Sequence, residues 1–180
     1  MNTQGAILFL VNFIIDLYIF LILTRFVLQA VRADFYNPVS QFVVKATNPA
    51  LLPLRRIIPG YGGIDVAALV VALLLVLVKV VLYAAMAGGA MELSAPALLL
   101  YGVREIASLL LNYIFWAVLL RVILSWVSPD PYNPVNQIVG QITEPVMAPA
   151  RKLLPPMGGL DLSPILVLLA VQFIQILFRL

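Results

Sequence analysis

The chain has 180 residues, of which 63% are hydrophobic and 11% charged, with a net charge of +3. That charged share is about half of what a soluble domain carries, and a water-soluble fold this short could not hide so much apolar surface. Cysteine and histidine are absent, which excludes disulfides, thiolate chemistry, a histidine general base and the commonest ligands of zinc, haem and iron, so no metal, cofactor or catalytic residue is expected.

The first apolar run covers residues 6–31, with Arg25 near its end. No basic residue precedes it and no small-residue exit site follows, so it is expected to be a permanent span and not a cleaved leader. A loop at 32–65 comes next. Asn37 suits a helix N-cap and Pro38 the first helical position. Val39, Phe42, Val43 and Ala46 then fall at i, i+3, i+4 and i+7, one face of a short amphipathic helix over Pro38–Ala46. Two turns cannot cross a bilayer, so this helix is expected to lie along the interface, with a re-entrant hairpin as the alternative. Pro49, Pro53 and Pro59 are expected to stop the helix and stiffen the path. Gly62-Gly63 supplies a reversal, and Asp65 caps the next span, at 66–87, which ends at Gly88-Gly89. A third span covers 97–127 and a fourth 163–180, joined by a second loop at 128–162.

The second half repeats the first. A shift of 96 residues without a gap places Asn37-Pro38-Val39 on Asn133-Pro134-Val135, Gln41 on Gln137, Thr47 on Thr143, Pro49 on Pro145 and Pro53 on Pro149. It also places Arg25 on Arg121, Asp34 on Asp130, Arg55 on Arg151, Pro59 on Pro155, Gly62-Gly63 on Gly158-Gly159 and Asp65 on Asp161. Apolar bias cannot produce this agreement, because most of the matched residues are polar, Pro or Gly. In the second loop the stripe is Val135, Ile138, Val139 and Ile142, giving a short helix over Pro134–Ile142 before Pro145, Pro149, Pro155 and Pro156. The expected architecture is all-α: two repeats, at 1–90 and 91–180, each with two membrane spans, a short amphipathic helix and a proline-rich loop. An even number of spans per repeat predicts parallel repeats about an axis along the membrane normal.

Charge sets the expected orientation. Arg25, Arg32, Lys45, Arg55, Arg56, Arg121, Arg151 and Lys152 lie in or beside the two long loops, against Arg104 and Arg179 on the other side. This places the loops in the cytoplasm and both termini outside. Arg55, Arg56, Arg151 and Lys152 are candidate contacts for anionic lipid headgroups or a protein partner. Two basic residues per loop supply too few phosphate contacts for nucleic acid.

The string Asn37-Pro38-Val39-x-Gln41, Thr47-x-Pro49, Pro53-x-Arg55-Arg56-x-x-Pro59, Gly62-Gly63-x-Asp65 resembles the signature of the YggT (YlmG-like) family. The second copy repeats it and adds Asp161-Leu162-Ser163-Pro164, a usual family ending, where the first copy reads Asp65-Val66-Ala67-Ala68. Lys152 stands where the family often has Arg. The resemblance implies a bacterial inner-membrane protein with chloroplast relatives. Roles attributed to that family include osmotic tolerance, cell division or nucleoid placement, and assembly of a thylakoid cytochrome complex.

Asp16 and Lys79 lie inside apolar runs, where a charge costs about 3 kcal/mol or more. Under the repeat shift Asp16 aligns with Asn112 and Lys79 with Gln175. Both charges become neutral amides together, which predicts that each pair touches within its repeat. The expected function is a structural or assembly factor, not an enzyme, working with a membrane-protein partner or as a homo-oligomer. A transporter or channel component in osmotic or ion homeostasis is the alternative.

Overall fold

Six helices follow one another in the computed structural model, which describes residues 3–58, 60, 62–86, 94–128, 130–154 and 161–180. They are α1 (Thr3–Ala30), α2 (Pro38–Arg55), α3 (Val66–Met86), α4 (Ala95–Val127), α5 (Pro134–Leu153) and α6 (Ser163–Phe178). No strand occurs among the described residues. Pro59, Pro155, Pro156, Gly88-Gly89 and Gly158-Gly159 lie outside the described residues.

Three helices are long and apolar enough to cross a membrane: Gly5–Ala30, Val66–Met86 and Ala95–Val127. Protein buries only 17%, 28% and 11% of their most apolar stretches, so most of their side chains need another apolar solvent. A bilayer provides one. Helix α6 is equally apolar in character but has 16 residues. At the α-helical rise that is roughly 24 Å, less than the hydrocarbon core of about 30 Å. It ends where Arg179 enters the left-handed region at φ 51°.

The two loop helices depart from the sequence expectation. Short helices over Pro38–Ala46 and Pro134–Ile142 were expected to stop at the prolines. Helix α2 instead runs 18 residues through Pro49 and Pro53, and α5 runs 20 through Pro145 and Pro149. A proline inside a helix costs about 3 kcal/mol because it lacks an N–H and crowds the carbonyl four residues back. Here the prolines come in pairs four apart, and all four are exposed. The broken hydrogen bonds therefore fall on one outward stripe, while the inward faces stay intact. Those faces carry Ser40, Val43, Thr47 and Leu51 in α2, and Ile138, Val139, Ile142, Thr143, Met147 and Ala150 in α5. Phe42 and Val135, members of the expected apolar stripes, are 64% and 40% exposed. The extended inward face rotates them out.

The chain forms two compact units. One comprises Met1–Ala30 and Val43–Ile106, the other Val31–Phe42 and Ala107–Leu180. In the first unit α1 packs on α3. The buried residues of α3 are Ala67, Ala68, Ala72 and Val76. Three alanines keep that face thin and let Ile19, Ile22, Leu23 and Leu28 of α1 seat deeply. Gly102, at the start of α4, approaches Leu73 and Leu77 so closely that a Cβ would sit 2.6 Å from a Leu73 methyl. In the second unit α5 packs on α6. Its core joins Val118, Met147, Ala150, Val167 and Val171, with Ile114 and Phe115 against it.

Candidate functional site

The residues shared by the two repeats gather where a long apolar helix meets the loop helix that follows it. In the first repeat Arg25 is 5% exposed. Its Nη1 donates to the Val44 carbonyl at 3.0 Å, to Thr47 Oγ1 at 2.9 Å and to Asn48 Oδ1 at 2.7 Å. The Thr47 hydroxyl donates to the Val43 carbonyl at 2.7 Å, which turns its lone pairs toward the guanidinium. One arginine thus ties the end of α1 to the middle of α2.

The second repeat reproduces the clamp at the shifted positions. Arg121 Nη1 donates to Thr143 Oγ1 at 2.8 Å and to Glu144 Oε2 at 3.1 Å. Thr143 donates to the Val139 carbonyl at 2.7 Å. The difference is Glu144 in place of Asn48, and it rewires the next arginine. Arg151 pairs with Glu144, whereas Arg55 pairs with Asp65 and donates to Gln29 Oε1 at 3.0 Å.

The aspartates diverge accordingly. Asp65 is 1% exposed, pairs with Arg55 and accepts from the Ala68 N–H at 3.3 Å as the cap of α3. Asp161 is aligned with Asp65 by the repeat shift, which predicts that it caps α6 in the same way. The N-cap position there is Leu162, which has no side-chain cap bond. Asp161 stands one residue earlier and accepts from the Ser163 N–H at 2.9 Å and from the Ser163 hydroxyl. The serine reaches back, so the capping position shifts by one. That hydrogen bonding from Ser163 holds the Asp161 carboxyl below its ordinary value. Glu144 is lowered too, first by the hydrogen bond from Arg151 and further by Arg121.

The remaining motif residues build the loop. Asn37 and Asn133 accept from the N–H groups of Val39 and Val135, each at 2.9 Å, in front of Pro38 and Pro134. Gln41 and Gln137 donate to the carbonyls of Tyr36 and Pro131, each at 3.1 Å. Asn37 also donates to the Pro134 carbonyl at 2.9 Å, and the Asp34 N–H to Gln141 Oε1 at 2.8 Å, fastening residues 31–42 to α5. Gly62 and Gly63 take φ of 62° and 87°, as a reversal ahead of α3 requires. An open groove of about 270 Å³ lies beside Arg121, lined among others by Ser125, Asp130, Asn136 and Gly140.

Of the basic residues expected to meet lipid or a partner, Arg55 and Arg151 are engaged in ion pairs. Arg56 and Lys152 are exposed. Within the apolar helices Lys79 pairs with Asp16. Asn112 is exposed and Gln175 buried, and no hydrogen bond joins them among the described residues. The charged pair is thus joined by an ion pair that the neutral amides have no means of forming. Sequence reasoning treats Arg25 and Arg121 only as loop-side charge and does not mark them as site residues. Their exact alignment under the repeat shift was the available signal.

The sequence model of the CCB3/YggT family matches residues 4–86 and 100–180. An uncharacterized protein of Pseudomonas aeruginosa is 50% identical over 96% of this chain and 87% of its own length. A protein from the proC 3′ region of Vibrio alginolyticus is 45% identical over 97% and 94%. The Escherichia coli K12 protein named YggT is 38% identical over 96% and 88%. No solved structure matches. The matched segments take in both arginine clamps, and the chain belongs to the CCB3/YggT family.

Proposed function

We propose that the protein is a non-enzymatic structural or assembly factor of the bacterial inner membrane, presenting two loop helices on the cytoplasmic face. In this reading α1, α3, α4 and α6 are four spans of two repeats, at 1–90 and 91–180, and the termini lie outside. The bias of Lys and Arg toward the loops supports that orientation. Helix α6 spans by thinning the bilayer locally or by seating its ends in the interface. The observation that carries the functional reading is the duplicated clamp. The polar groups that the repeats share are engaged in fixing α2 and α5 against their spans. The outward faces of those helices, and the turn that follows α2, are left to present Phe42, Leu52, Lys152 and Arg56. Rigid amphipathic helices beside anionic lipid suit the docking of a membrane-protein partner.

A photocrosslinker at Phe42 or Leu52, used in native membranes, tests this. A defined protein partner, lost when Arg25 is replaced, is the expected result. Crosslinks to lipid alone would sink the assembly reading. The transporter reading draws on one observation, the Asp16–Lys79 pair inside the apolar helices. Solute flux in proteoliposomes that depends on Asp16 would favour it instead.

A further inference from the structure

Asp16 and Lys79 lie near the middle of two apolar helices, yet the Asp16 side chain is 50% exposed. The exposed surface of α1 around it is apolar, with Ile14 and Leu17 on its flanks and three aromatic residues in line with it. Phe9, Phe13 and Phe20 are 70%, 58% and 53% exposed, and the rings of Phe9 and Phe13 stack at 6.5 Å. Together with Asp16 they occupy positions i, i+4, i+7 and i+11 of α1. That alternation of four and three is the seam of a helix that packs against another helix, and a single polar residue in such a seam fixes register and partner number. Lipid tails solvate the rings well. They solvate the outward half of the carboxylate badly, and Lys79 covers only its other half.

We propose that this seam is a homodimer interface within the bilayer, formed by α1 of two copies with Lys79 of α3 at its edge. A second copy is the occupant that the charges select. An acid beside a base is self-complementary about a two-fold axis, so Asp16 of each copy meets Lys79 of the other and both carboxylates become fully paired. The second repeat carries Glu105, Leu109, Asn112 and Trp116 at the shifted positions. It has no corresponding acid–base pair, so the interface falls on the first repeat alone. The inference rests on α1 and α3 spanning the bilayer.

The chain has no cysteine, so F13C introduces a single thiol in the seam. F173C on α6, 65% exposed, serves as the comparison. In native membranes carrying the full chain, F13C crosslinks to a species of twice the mass and F173C does not. Adding D16K lowers the crosslinked fraction about tenfold, a loss of about 1.4 kcal/mol. Adding K79D to that variant restores it by exchanging the charges. The neutral variant D16N/K79Q, which copies the residues of the second repeat, keeps its membrane abundance and loses the crosslink. Carbonate extraction reports insertion separately. An F13C chain with Asp16 and Lys79 intact that is inserted but uncrosslinked overturns the dimer and leaves the spans standing, and one that washes off overturns both. A crosslink to a different protein, or one that D16K leaves unchanged, also overturns the dimer.

Discussion

Arg25 donates to the Thr47 hydroxyl at 2.9 Å in a site closed to solvent on both sides, since Arg25 is 5% exposed and Thr47 is fully buried. Replacing Thr47 with Val keeps the shape and removes the acceptor. The expected loss is about 1–3 kcal/mol, the usual range for stranding a buried polar partner. R25M should cost more, because it strips three hydrogen bonds at once. T143V should cost less than T47V, because the Arg121 side chain is 29% exposed and water can replace the lost bond. Unfolding in mixed micelles measures all three, and equal losses for T47V and T143V would contradict the burial argument.

The two aspartates should respond differently to truncation. D65A removes a buried carboxylate that both pairs with Arg55 and caps α3. A loss of about 3 kcal/mol is expected, at the low end for a broken buried pair because Arg55 is partly exposed. D161A removes only an exposed carboxylate bonded to Ser163, and about 1 kcal/mol is expected from the lost helix-start bond. The order of the two melting temperatures decides the matter.

Glu144 gives a pH dependence with a fixed sign. Its folded-state value is lowered by Arg151 and Arg121, so folding favours the ionised form. Its contribution is complete above the ordinary glutamate value of 4.5 and disappears as pH falls below that through the lowered folded value. The difference in melting temperature between the wild-type chain and E144Q should therefore be level near neutrality and shrink in acid. The side chain is half exposed, so the whole difference stays small and fades in high salt. A difference that grows in acid would reverse the assignment.

Pro49 stands in the interior of α2 on its exposed stripe. P49A returns an N–H to the ladder and takes nothing from the inward face. Stability should hold or rise, by up to about 3 kcal/mol. If P49A instead unfolds the loop, the helix does not continue through this position as described.

The long apolar helices were legible because burial in lipid needs only composition and length. The N-caps at Asn37 and Asn133 were legible because capping is local chemistry. The lengths of α2 and α5 were not. Each proline reads singly as a helix stop, and only the packed structure reveals that all four lie on the outward side of helices held by Thr47 and Thr143. The arginine clamps escaped for a related reason. A positive charge near the end of a span has a sufficient explanation in orientation, and nothing local to Arg25 names a partner 22 residues away. The pairing of Arg55 with Asp65, set against Arg151 with Glu144, goes with the exchange of Asn48 for Glu144 and of Gln29, a second partner of Arg55, for Ser125. The alignment of the repeats exposes those exchanges, but their effect requires coordinates.

The fastening of residues 31–42 to α5 bears on the order in which the chain matures. Asn37 waits for the carbonyl of Pro134 and the Asp34 amide for the side chain of Gln141. Both acceptors leave the ribosome about a hundred residues later, several seconds behind at ordinary rates of synthesis. Until then the start of α2 has its own cap but no seat, while α1 and α3 can already pair. An emerging chain therefore holds a paired α1–α3 hairpin with the segment at 31–42 undocked, and a chain truncated before α5 keeps that segment undocked permanently.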